Sequence, residues 1–332
     1  MSTGGIGWQP HIVDAWTGIA DTIRPVHFED VDPAALPRSV TGRVVLVREH
    51  KQHSGSVHAR GALWFLRATR AAGELPAAGV AIAARTESVA AAWAWAARIE
   101  NAPVALFVPA LPAPTVGWLR GGPVTVEVVV DGDPIACRDA YAREVGALVP
   151  GPGDPLLAAG SGTWVTGINS LVWRLATVMV PVLDGADGGG LLLGTVTAAH
   201  RFGIKTVLVA VEGAAIPVAV QRVLSGDSTE FPGMVSDGHR VSLELVTVPE
   251  SAVEDAVRML RQRGRAVTAE GAQAWAAVTT TIEQPRSCYR PAPAESVAVL
   301  LAGPPAEADT AERVNPYRLQ PKSAAPGADT GR

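Results

Sequence analysis

Lysine is scarce in this 332-residue chain: only Lys51, Lys205 and Lys322 occur, although Lys and Arg together number 28. Chemistry that needs a primary amine therefore has three candidates. The excess of Arg over Lys, with 34 Gly, 26 Pro and much Ala, is the bias of a high-GC coding sequence and says nothing about function. Cysteine is scarcer still. Cys137 and Cys288 lie far apart in unlike contexts, which argues against a disulfide framework or a thiolate metal site. A basic stripe is also missing: the net charge is -4 with both signs mixed along the chain, so nucleic acid is not an expected partner. The segment from Met1 to Asp21 has no basic stretch followed by an apolar run, and a cytoplasmic protein is expected. Nor is there a clean apolar run of membrane length. Residues 101–119 carry Pro103, Pro109, Pro112 and Pro114, and residues 155–173 are rich in Gly, Ser and Thr, so both read as strand, turn and soluble helix.

What is present is alternation. Hydrophobic residues make up 48% of the chain, ample for two buried cores, and its length admits two subdomains of roughly 100 to 200 residues each. Runs rich in Val, Ile and Leu alternate with Ala-rich runs at helical spacing, the pattern of an α/β protein with parallel sheets covered by helices. Strands are expected at 43–48, 79–84, 103–109, 177–183, 206–212, 241–248 and 296–301. Helices are expected at 61–72, 88–99 with Ser88 as its cap, 162–175, 188–202, 251–263 and 271–280. After Gly303 the periodicity stops and Pro, Ala, Glu and Thr take over, so 303–332 is expected to be a disordered tail. No internal repeat is found.

Several short motifs stand in a fixed order on this alternation. Residues 43–62 read RVVLVREHKQHSGSVHARGA, residues 94–109 contain AWAA followed by NAP and VP, and residues 154–168 read DPLLAAGSGTWVTGI. Further on come VPV at 180–182, DGGGL at 187–191, VLVAVEG at 207–213 and VAVLLAG at 297–303. Together these resemble the fold type II pyridoxal phosphate (PLP) enzymes, the group of threonine dehydratase and the tryptophan synthase beta subunit, over most of the chain. Ser54, Gly55 and Ser56 match the family's TGS, and Arg60, Gly61 and Ala62 match its RGA. The resemblance implies two three-layer αβα subdomains with a cleft between them, and a homodimer. The large subdomain is expected from 1–40 plus 150–302 and the small one from 41–149.

The positions that carry the family's chemistry are altered. His58 falls on the lysine that holds PLP as an imine, and histidine cannot form that bond. Neither Lys51, in the turn after a strand, nor Lys205, at a strand end, nor Lys322, in the tail, is placed to replace it. Ser88 stands where an asparagine contacts the cofactor ring, and Ala302 where a hydroxyl bonds the pyridine nitrogen. The former phosphate loop is Asp187, Gly188, Gly189 and Gly190, and the carboxylate at Asp187 repels a phosphate by about 1 to 4 kcal/mol unless it serves as a helix cap. The PLP site is thus expected to be lost, with no cofactor in its place.

Two functions from different classes follow. In the first, the cleft is reused by a PLP-independent lyase or cyclase acting on a small carboxylate or amino-acid-derived metabolite in specialised biosynthesis. His58 is then general acid or base, Glu87 and Ser88 assist it, and Glu87 raises its basicity. Ser54, Gly55, Ser56 and Arg85 bind the substrate carboxylate. In the second, the chain is a pseudoenzyme subunit that binds a ligand or supports a partner enzyme, and His58 is a hydrogen-bonded structural residue. His50, His53 and His58 lack a carboxylate or cysteine partner at metal-ligand spacing, so no metal is expected. The nine tryptophans read mainly as core, with Trp93 and Trp95 beside the altered loop.

Overall fold

The computed structural model describes residues 8–36, 40, 42–151, 153–183, 188–216, 221, 242–265, 267–280 and 294–302. Asp187, Cys288, Lys322 and the expected tail at 303–332 lie outside the described residues.

Two separate sheets account for the alternation. β1 (Phe28–Asp30), β2 (Arg43–Val47), β6 (Leu175–Pro181), β7 (Lys205–Val211), β8 (Leu243–Val248) and β9 (Ser296–Leu300) form a six-stranded sheet in the order β1-β2-β9-β6-β7-β8. Only β1 runs antiparallel to its neighbour. β3 (Val80–Ala83), β4 (Val104–Val108) and β5 (Val124–Val128) form a second, parallel sheet. Strands covered on both faces need apolar residues at every position. β9 is accordingly buried throughout and splits by parity: Ala298 and Leu300 join one core, Val297 and Val299 the other.

Helices cover both faces of each sheet. Against the large sheet, α1 (Trp8–Ile19), α6 (Pro155–Leu171) and α7 (Gly188–Arg201) pack on one side, and α8 (Glu250–Gln262) and α9 (Ala269–Thr280) on the other. On the small sheet α3 (Glu87–Glu100) and α4 (Ala113–Leu119) lie opposite α5 (Pro134–Val145). α2 (Ala59–Ala71) packs against both α3 and α6 and so ties the two halves together. The expected α/β class with two three-layer units is what forms.

Three expectations need correction. β2 pairs along its full length with β9, so residues 43–47 belong to the large sheet and not to the small subdomain. The helix expected at 162–175 begins earlier, because Asp154 caps it by accepting from Leu156 N (2.8 Å) and Leu157 N (3.2 Å) while Pro155 occupies its first position. It ends at Leu171, and Leu175 opens β6. The cap of α3 is Thr86, whose hydroxyl accepts from Val89 N, rather than Ser88.

Glycine sets how closely the central helices approach. A Cβ on Gly160 of α6 would lie 2.6 Å from the Arg60 carbonyl oxygen of α2, and one on Gly61 2.5 Å from Ser161 Oγ. On α7, a Cβ at Gly194 would overlap the carbonyl oxygen of Ala158. These contacts hold the first turns of α2, α6 and α7 side by side.

Candidate functional site

Those first turns, with the C-terminal end of β3, enclose a cavity lined by His58, Gly61, Ala62, Ile82, Ala83, Val89, Trp93, Arg138, Pro150, Gly151, Leu157, Ser161, Gly190 and Leu191. The C-terminal edge of a parallel sheet is where open α/β folds place ligands. Its volume is about 40 Å³, and since one water takes roughly 10–15 Å³ on this measure, it suits a ligand of a few heavy atoms.

His58 is held by a short loop that is tied down at both ends. Glu49 and Arg60, each 1% exposed, make two hydrogen bonds across it, Arg60 Nε to Glu49 Oε2 at 2.7 Å and Nη2 to Oε1 at 2.9 Å. Gln52 exchanges two bonds with the backbone of Arg24, donating to its carbonyl (2.8 Å) and accepting from its N–H (3.1 Å). Gly55 adopts φ 68°, which a residue with a Cβ resists, and its N–H donates to Gln52 O at 2.8 Å. The chain then turns into α2, with His58 at the position that precedes the helix.

The hydroxyl pair beneath His58 is used internally. Ser56 is fully buried; its Oγ accepts from the His58 N–H (3.1 Å) and from Ser88 Oγ (2.8 Å). Ser88, 5% exposed in the first turn of α3, thereby fastens α3 to the loop. Ser54 Oγ is buried with no partner among the described residues. Arg85 is exposed and Glu87 half-buried, and neither lines the cavity. Gly190 lines it from α7, and Gly188 and Gly189 belong to the same helical turn. Ala302, 1% exposed, joins the apolar cluster that contains Val57, Val182 and Leu183.

Electrostatically, the cavity disfavours cations on its imidazole. His58 is half-buried, and burial pushes its pKa down to about 4. The positive end of α2 acts in the same direction. The expectation that Glu87 raises the basicity of His58 is corrected: desolvation is the only cause found for the shift. At neutral pH the imidazole is uncharged, with one donor and one acceptor nitrogen. His50, 6% exposed, is likewise lowered to about 4, by burial first and then by Arg48 and Lys51, and its Nδ1 has no partner among the described residues. His53 stacks on Trp95 at 5.4 Å between ring centroids. Among the described residues no group of three potential metal-binding side chains converges.

The lysines lie elsewhere. Lys51 is exposed in the turn after β2, and Lys205 Nζ pairs with Glu244 across β7 and β8. Two polar residues of the cavity, Ser161 and Arg138, are not among the expected site residues. Ser161 lies one residue ahead of the expected helix start, inside α6. Arg138 lay in α5, which was not assigned, although Asp133 as cap, Pro134 at the first position and Gly146 at the end (φ 74°) are the start and stop signals of a helix.

No family model matches the chain. Among curated proteins, the catabolic L-threonine dehydratase TdcB of Staphylococcus aureus (strain USA300) is 29% identical over 153 residues. That alignment covers 41% of this chain and 43% of the dehydratase, so the chain matches less than half the length of this relative. Among solved structures, maize serine racemase superposes with a TM-score of 0.69 at 19% identity, covering 92% of this chain and 95% of the racemase. The T.th. threonine deaminase gives 0.67 at 23% identity, covering 89% and 97%. At such identities the likeness establishes the fold, and the chain has the mixed α/β fold type II architecture found in PLP-dependent enzymes. Among the described residues no helix is long and apolar enough to cross a membrane.

Proposed function

We propose that this chain is a PLP-independent lyase or cyclase on a threonine dehydratase-like scaffold, acting on a small carboxylate or amino-acid-derived metabolite in specialised biosynthesis, with His58 moving the proton. The observation that carries this reading is that His58 lines the cavity at the head of α2, where burial favours its uncharged form; the resemblance gives this position to the family's lysine. The described residues do not fit a covalently held PLP, since none of those lining the cavity is a lysine, and the position that the resemblance gives to the pyridine-nitrogen partner is the buried Ala302. No step of the mechanism therefore passes through that cofactor. In this reading the protein acts in the cytoplasm, and as a homodimer, the latter as the family resemblance implies.

At rest His58 is a weak base, because burial opposes the imidazolium. An anionic substrate reverses this. Its charge beside the ring favours the imidazolium, so the ligand raises the basicity of the group that is to attack it. Ser56 and Ser88 act as positioning residues in this scheme, fixing the backbone N–H of His58. Ser161, 4% exposed on α6, supplies a hydroxyl from the adjoining wall of the same cavity. Glu87 and Arg85 lie outside this arrangement.

A second reading is favoured by the small volume of the cavity: a non-catalytic subunit that binds a ligand or supports a partner enzyme. The two are separated by following small hydroxy and amino carboxylates by NMR in deuterated buffer with PLP-free protein. Deuterium incorporation or elimination that falls by about a hundredfold or more in His58→Gln supports the enzyme, in line with the usual worth of one acid-base group. Turnover that requires added PLP bound to a lysine, found by mass after borohydride reduction, would sink the proposal. Binding without turnover favours the subunit.

A further inference from the structure

We propose that Arg138 is the carboxylate-recognition residue of this cavity. The inference rests on the reading that the ligand is a small acid, and it moves the acid's anchor away from the serine loop. Most of the described lining is apolar or glycine, and among the described residues only His58, Ser161 and Arg138 bring hydrogen-bonding side chains to it apart from the indole of Trp93. Of these Arg138 alone carries a formal charge at neutral pH.

Its surroundings suit an incoming anion. The side chain is 15% exposed, so an ion pair formed there escapes much of the screening that weakens surface pairs. Its one described partner is the neighbouring Asp139, itself 47% exposed, and that carboxylate uses a single oxygen: Nε and Nη2 reach Oδ1 at 2.8 and 2.7 Å. No partner for Nη1 is found among the described residues, which leaves two N–H groups for a ligand. Guanidinium and carboxylate match as planar, two-pronged partners, and such charge-assisted bonds are roughly twice as strong as neutral ones.

Position adds to chemistry. Arg138 comes from α5, which packs on the edge strand β3, whereas His58 and Ser161 come from α2 and α6. An acid held by Arg138 is thus contacted from the small subdomain at its carboxylate and from the other wall at its remaining atoms. Ser54, Ser56 and Arg85, the anchors expected from the sequence, do not line the cavity, and the Ser56 hydroxyl is already engaged with Ser88 and His58.

The test is a titration of PLP-free protein with acetate and propionate, and with acetamide and propionamide as neutral isosteres, by calorimetry. Wild type binds the acids in preference to the amides. Arg138→Gln loses that preference, with acid affinity down about tenfold or more, Arg138→Lys loses part of it, and Arg85→Gln, at an exposed arginine outside the cavity, leaves it unchanged. A purely structural Arg138 would weaken acid and amide alike. Acid binding in Arg138→Gln equal to wild type, or a wild type that does not distinguish acid from amide, overturns the proposal. Should Arg138→Gln fail to fold, Arg138→Lys carries the same comparison. Failure of the His58 reading is seen separately, in deuterium exchange that persists in His58→Gln while the acid affinities stand.

Discussion

Arg60 grips Glu49 through two hydrogen bonds of 2.7 and 2.9 Å with both side chains 1% exposed, and this pair closes the loop that carries His58. Removing one partner strands a buried charge, which costs about 3–5 kcal/mol, whereas replacing both with apolar groups costs much less. Glu49→Leu and Arg60→Met are each expected to lower unfolding stability in urea by that amount, and the double variant by less than the sum. Additive losses would show that the two side chains act independently.

A second expectation concerns helix approach. Gly194→Ala puts a methyl group into the Ala158 carbonyl of the neighbouring helix, where neither backbone can yield cheaply. A loss of about 1–3 kcal/mol is expected, with weaker ligand binding because α6 and α7 both line the cavity. Gly117→Ala in α4 is the control: nothing lies within 4 Å of the added atom, and the gain in helix propensity raises stability by up to about 1 kcal/mol. Equal effects at the two sites would contradict the packing account.

Acid should destabilise the fold through its buried histidines. His50 and His58 stay neutral in the folded chain until about pH 4, whereas in the unfolded chain they take up protons near the ordinary value of 6.5. Between those limits the unfolded state binds more protons, so stability is full above pH 6.5 and falls as the pH drops toward 4. For His50 the loss is on the order of 3 kcal/mol, and for the half-buried His58 it is smaller. Urea midpoints of wild type and His50→Gln compared from pH 7 to pH 4 check this. A slope unchanged in His50→Gln would refute it.

The alternation of apolar and Ala-rich runs was enough to place the parallel strands except β5 and most helices, because a strand buried on both faces leaves an uninterrupted apolar run, whereas β5 (VTVEV) is only partly buried. The RGA tripeptide was legible too, and the structure gives it causes: Arg60 is half of a buried ion pair, and Gly61 leaves room for Ser161. Local signals also stand at Asp133, Pro134 and Gly146, which bound α5, and at Asp154 and Pro155, which start α6.

By itself the sequence determined the α/β class and the order of the motifs, since these follow from residue identity and short-range periodicity. The tertiary structure decided that Ser56 and Ser88 spend their hydroxyls on each other and on the His58 backbone, that Glu87 does not charge His58, and that Arg138 and Ser161 share its cavity. Ser56 and Ser88 are 32 residues apart, and His58 and Arg138 about 80. Contacts at such separations, and the desolvation that sets a pKa, depend on how the helices and the two sheets pack, which no local pattern encodes.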